Sequence, residues 1–117
     1  MEYKRSDRVA DLLLEMVSEL LMREINDPRI VSVTLTGAEV TDDLRQAKIY
    51  FNIFTGSEGK DEVLAGLKSA AGFIRRSVAK DLKLRVVPTI EFVYDDTEDR
   101  ARRIDELLKQ TDVKKTT

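Results

Sequence analysis

The chain has 117 residues, 42% of them apolar, which reads as one domain around one modest core. It contains no cysteine and no histidine. That excludes disulfides, thiolate zinc sites and thiol catalysis, and removes the side chain most used for proton transfer near neutral pH. The formal charge is −2, from 20 basic and 22 acidic side chains, which on its face disfavours a nucleic-acid partner.

The opening "MEYKRSDRVADLLLEM" mixes charges with apolar residues and offers no continuous apolar core for a signal peptide, and no run is long enough to cross a bilayer. A soluble, cytoplasmic protein is expected. From Ser6, the residues Val9, Leu12, Leu13, Met16, Val17, Leu20 and Leu21 recur at three- and four-residue spacings, which predicts an amphipathic helix. Ser6 or Asp7 is its expected N-cap, and "NDPRI" its terminator near Ile25, because Pro28 pushes Asp27 out of helical conformation.

Two β-rich runs follow, "IVSVTLTGAEV" and "RQAKIYFNIF", joined by "TDDL". Val31, Val33 and Leu35 alternate with polar residues in the first, and Ala47, Ile49, Phe51 and Ile53 in the second, predicting a hairpin with one buried face. Gly37 breaks the alternation and marks a bulge or a twist. Phe51 and Phe92 are expected in the core, whereas Tyr50 faces outward and is the better candidate for stacking on a base.

"TGSEGKDE" is a loop, and Val63, Leu64, Leu67, Ala70, Ala71, Ile74 and Val78 then trace a long helix with a weak middle at Ala70, Ala71 and Gly72. Two readings of that weakness stand. One is close packing against the sheet or a neighbouring helix; the other is a bend that admits a ligand's backbone. The stretch from Lys68 to Arg85 holds six basic residues and one acid, a local +5 that leaves −7 for the remainder.

"LKLRVVPTIEFVYDD" predicts a third strand with Ile90, Phe92 and Tyr94 on one face, and Pro88 at an edge or bulge. Alternation there would place Lys83 and Arg85 opposite Leu84 and Val86. A short last helix, capped around Asp96 or Thr97, is expected to turn Ala101, Ile104, Leu107 and Leu108 inward, with Arg100, Arg102 and Arg103 in ion pairs on its surface. The domain is assigned to residues 1–110 and a flexible tail to 111–117. Asp42-Asp43 and Asp95-Asp96 read as turn and cap residues before they read as magnesium ligands. The elements add up to an α+β fold, a two-layer sandwich with a three-stranded sheet and helices on one face.

Several stretches resemble the ribosome-binding factor A family, across residues 5–109. They are "RVADLLLEMVSELLMREINDPRI" with its Asp27-Pro28-Arg29 terminator, "TGAEVTDDLRQAKIYF", "SAAGFIRRSVAKDLKLRVVPTIEFVYDDT" and "RIDELL". The resemblance implies a single KH-like domain of type II, in which a helix-kink-helix at Ala70-Ala71-Gly72 replaces the GxxG loop that clamps nucleic acid in ordinary KH domains. It implies a non-enzymatic assembly factor that binds the immature small (30S) ribosomal subunit and its 16S rRNA, and assists late maturation and 5′-end processing. Its expected contact residues are Ala70, Ala71, Gly72, Arg75, Arg76, Lys80, Lys83 and Arg85, joined by the smaller basic group Lys4, Arg5 and Arg8. No cofactor, metal, membrane or small-molecule substrate is expected, and the chain is expected to be a monomer. Two competing readings are a protein-interaction module that uses its sheet edge, and a small hydrolase or nuclease built on the acidic pairs.

Overall fold

The computed structural model describes residues 2–54 and 59–115, with residues 111–115 as backbone alone; residues 55–58 of the predicted loop lie outside the described residues. Helix α1 spans Arg5–Arg23, a 3-10 turn Pro28–Ile30, strand β1 Val33–Val40, β2 Gln46–Ile53, α2 Lys60–Leu82, β3 Thr89–Tyr94 and α3 Thr97–Lys115. The sheet order is β1-β2-β3, with β1 antiparallel and β3 parallel to the central β2. A parallel neighbour requires a crossover, and α2 supplies it.

The core lies between the sheet and the α1/α2 layer. Ile49, Phe51 and Ile53 from β2 meet Leu13 and Val17 from α1 and Leu67, Ile74 and Val78 from α2, all buried. Phe51 also stands edge-on to Tyr94, with ring centroids 5.7 Å apart. Strand alternation produces this directly: Ala47, Ile49, Phe51 and Ile53 are buried, while Lys48 is exposed and Tyr50 half-buried on the opposite face. The register shifts between Leu35 and Gly37, so a bulge lies where the glycine predicted it.

The structure departs from the sequence reading at several places. Helix α1 begins at Arg5, and Ser6 is not its cap: Ser6 is buried and its hydroxyl donates to Asp42 at 3.3 Å, while the Asp7 carboxylate accepts from the Lys4 backbone N–H at 2.9 Å. Val31 is 82% exposed and Ile30 is buried in its place, because the 3-10 turn delays the strand until Val33. Helix α2 runs as one helix of 23 residues through Ala70–Gly72, so no loop separates two helices there. Alanine is the best helix former, and a single glycine costs about 1 kcal/mol, which the flanking buried turns at Leu67 and Ile74 offset. Residues 83–88 form a loop in place of the strand expected there: Lys83 adopts a left-handed conformation, φ 50°, that ends α2, and the parallel ladder starts only at Thr89 opposite Gln46. Pro88, buried, stands immediately before that ladder, where its missing N–H leaves no gap.

Helix α3 is the largest departure. Its backbone is helical through Lys115, across most of the segment expected as a tail. Ala101, Ile104, Leu107 and Leu108 are exposed, the last three at 56–57%, where the periodicity placed them inward. Hydrophobic spacing specifies that a helix has an apolar face and says nothing about what covers it. Replacing Ile104 and Leu108 together with glutamine is therefore expected to change unfolding stability by no more than about 0.5 kcal/mol, as at ordinary surface positions. A loss of several kcal/mol in chemical denaturation would place that face against the core.

The start of α3 is better anchored. The Asp95 carboxylate accepts from the Thr97 backbone N–H at 3.0 Å and from the Thr36 hydroxyl at 2.7 Å, joining β1, β3 and α3. The Thr97 hydroxyl, which donates to the same carboxylate, and then these two bonds hold its pKa below the ordinary 3.8. The bonds favour the charged form, so their stabilisation is complete above about pH 4 and is lost as pH falls through the lowered pKa. Asp95→Asn should cost about 1 kcal/mol near pH 7. In denaturation midpoints taken across pH, the gap from wild type should narrow below pH 3.8; a gap independent of pH would contradict this account.

Candidate nucleic-acid interface

The exposed side of α2 is built by the same spacing that builds its buried side. At about 100° per residue, Gly72 lies half a turn away from the stripe of Val63, Leu67, Ile74 and Val78. The three small residues therefore diverge: Ala70 packs against the core, Ala71 is half-buried beside it and Gly72 is exposed. A methyl group built on Gly72 would meet only Arg76 Nη1 at 3.5 Å. The close-packing explanation therefore fails for Gly72 and holds for a different glycine. At Gly66 the same methyl would come within 2.9 Å of Ile30 Cγ2 and 3.2 Å of Arg29 Cβ.

Asp27-Pro28-Arg29 is the other half of that contact. Asp27 accepts from the Arg29 backbone N–H at 2.9 Å and from its guanidinium Nη2 at 2.6 Å. The Arg29 side chain stands 42% exposed. This pairing holds the Asp27 carboxyl below its usual range and lays Arg29 along α2 at Gly66. Arg29 is thereby committed to the fold.

Around Gly72 a shallow cleft of about 370 Å³ is lined by Arg75, Arg76, Ala79 and Val87. Arg75 donates to the Val87 carbonyl at 3.4 Å, and Arg76 lies back over Gly72. Arg75, Arg76, Lys80, Lys83 and Arg85 are all exposed. Among the described residues no carboxylate forms an ion pair with any of them. By contrast, Arg100 pairs with Asp96 and Arg102 with Asp99, as expected on that helix surface, whereas Arg103 forms no ion pair among the described residues. Of the predicted site, Lys83 and Arg85 sit on the loop after α2, just beyond Lys80.

The second basic group is brought to the same end of the sheet. Lys4 reaches Asp42 in the β1–β2 turn at 3.7 Å, both side chains exposed. That turn also carries Arg45, whose carbonyl accepts from the Thr89 N–H at 2.8 Å, two residues from the Val87 that Arg75 touches. Arg5 and Arg8 are exposed on the first turns of α1. Arg45 is the residue that sequence reasoning missed: it reads as the first residue of the second β-rich run, and only the parallel pairing of β2 with β3 places it between the two groups. Tyr50, the stacking candidate, is on the open face of the sheet, but its hydroxyl is engaged with Glu39 at 3.1 Å. One aspartate of each acidic pair serves the local backbone, Asp43 accepting from the Arg45 N–H and Asp95 from the Thr97 N–H, while Asp42 meets Ser6 and Lys4 and Asp96 pairs with Arg100.

An antiparallel hairpin, a crossover helix and a parallel third strand, with α1 and α2 on one face, define a KH-like domain. The model of the family described as ribosome-binding factor A matches residues 5–108. A ribosome-binding factor A from Geobacter metallireducens is 48% identical over 108 residues, 92% of each chain. The chain belongs to the ribosome-binding factor A family. The crystal structure of ribosome-binding factor A from Thermus thermophilus superposes with a TM-score of 0.67 at 21% identity, over 76% of this chain and 93% of that one. A Thermus thermophilus ribosome binding factor A model, fitted into a cryo-EM map of a 30S complex, gives 0.53 at 24% identity, over 72% and 92%. Among the described residues no helix is long and apolar enough to cross a membrane.

Proposed function

We propose that this protein is a ribosome-assembly factor that binds the immature small subunit through 16S rRNA, and promotes late maturation and 5′-end processing without catalysing a reaction. The observation that carries the reading is the set of exposed cations Arg75, Arg76 and Lys80, in no ion pair among the described residues, beside an exposed glycine on one helix face. A missing side chain lets a ribose-phosphate backbone approach the helix, and the arginines supply the charge that holds it there. Lys83 and Arg85 extend the surface past the end of α2, and Lys4, Arg5, Arg8 and Arg45 extend it around the same end of the sheet. The Thermus relative fitted into the 30S complex supports the choice of partner.

Binding by itself can drive maturation. A factor that prefers one conformation of the rRNA shifts the population toward it by its differential affinity. The acidic remainder of the chain keeps affinity for arbitrary RNA low, so the particle and not free RNA is the expected ligand. The test is cosedimentation of the protein with immature and mature small subunits across a salt series. Preference for the immature particle, weakening as salt rises, is the expected result. Equal binding to both particles, or none, would overturn the reading.

A further inference from the structure

The sheet has a second feature that the α2 face does not use. Strand β1 is an edge, and the Phe54 N–H bonds the Ser32 carbonyl at 3.2 Å. In an antiparallel pair the bonded residues alternate, so Thr34 also turns its backbone to β2, and Val33 and Leu35 present theirs to the open edge. Natural edges are guarded by lysine, proline or inward-pointing charge. From Val33 to Leu35 this one carries none, and the bulge, another such guard, begins only at Thr36.

Beside that edge lies an open cleft of about 630 Å³ between α1 and β1, lined by Leu21, Met22, Ile25, Val31, Val33 and Leu35 among others. Met22 and Val31 are 85% and 82% exposed, unusual for large apolar side chains, and both line this one cleft. On α1, Glu19 stands one turn and Glu15 two turns before Met22, both exposed and without an ion-pair partner among the described residues. The chemistry of the cleft is therefore apolar at its floor, acidic at its rim and hydrogen-bonding along one side.

We propose that the β1 edge and this cleft form a docking site for an extended, basic peptide segment with apolar residues at alternate positions, which adds to the sheet as a fourth strand. Main-chain bonds to Val33 and Leu35 would set its register. Alternate side chains would enter the cleft over Met22 and Val31, and flanking cations would meet Glu15 and Glu19. The acidic rim repels phosphate, which separates this surface from the α2 face and makes a protein segment its occupant.

The test uses the full chain and a labelled nonapeptide with valine at three alternate positions between paired terminal lysines. The expected result is saturable binding that shifts the backbone amide resonances of Val33 and Leu35. It should weaken about tenfold in a Met22→Ser/Val31→Ser double variant, whose positions are too exposed to matter for folding. Glu15→Lys/Glu19→Lys should weaken it further and favour a peptide with glutamates at its ends. No saturable binding, binding indifferent to either double variant, or resonance shifts at Arg75 and Arg76 in place of the edge would each overturn the proposal. An rRNA fragment that shifts Val33 and Leu35 would do the same, by assigning the cleft to nucleic acid.

Discussion

Replacing Arg75 and Arg76 together with alanine is expected to lower affinity for the immature small subunit by about tenfold or more at moderate salt, and to reduce the slope of log affinity against log salt by about two. Each guanidinium that meets a phosphate releases about one condensed counterion, so losing two contacts flattens the dependence by that amount. The fold should be untouched. Both side chains are exposed, neither is in an ion pair among the described residues, and the one bond lost is the 3.4 Å contact from Arg75 to the Val87 carbonyl. A double variant that melts as wild type does, binds as wild type does and keeps its salt slope would move the interface off α2.

The two glycines of α2 should respond to alanine with opposite signs. At Gly72 the added methyl meets only the end of the Arg76 side chain, which can swing away, so helix propensity decides and the variant gains about 0.5–1 kcal/mol. At Gly66 the methyl would stand 2.9 Å from Cγ2 of buried Ile30, a β-branched side chain with few rotamers to retreat into. Overpacking of that kind costs about 1–3 kcal/mol, which exceeds the propensity gain. Denaturant midpoints of the two variants measure both signs in one experiment. If Gly72 is retained for a close backbone approach, the stabilised Gly72→Ala protein should also bind the subunit less well, and the two effects together distinguish binding from folding as the reason for the residue.

The sequence carried the fold where local rules suffice. Strict alternation in β2 placed Ala47, Ile49, Phe51 and Ile53 in the core, and Gly37 marked its bulge. The position of Gly72 on the solvent side was also legible, from its angular offset relative to Leu67 and Ile74, although its clustering with Ala70 and Ala71 made the three look like one surface. What could not be read was tertiary. Gly66 matters because Asp27 holds Arg29 and Ile30 against it, a contact between segments far apart in the chain. Arg45 joins the basic groups only through the pairing of Gln46 with Thr89. Helix α3 has the same apolar spacing as a buried helix, and no local signal distinguishes a covered face from a bare one.

The bulge at Thr36–Gly37 has a consequence for how this chain can change its length. Before it, odd-numbered residues Val33 and Leu35 face the helices; after it, even-numbered Ala38 and Val40 do. One surplus residue thus sits between two halves that agree on which side is inside. Deleting Thr36 alone would bring Val33, Leu35, Ala38 and Val40 into strict alternation, all still facing inward, at the loss of the hydroxyl bond to Asp95. Deleting Thr36 and Gly37 together would set Ala38 directly after Leu35 and turn one half polar side inward. At this point the strand can shed a single residue, whereas along β2, whose pairing with β3 runs without a shift, any loss must come in twos to keep the parity.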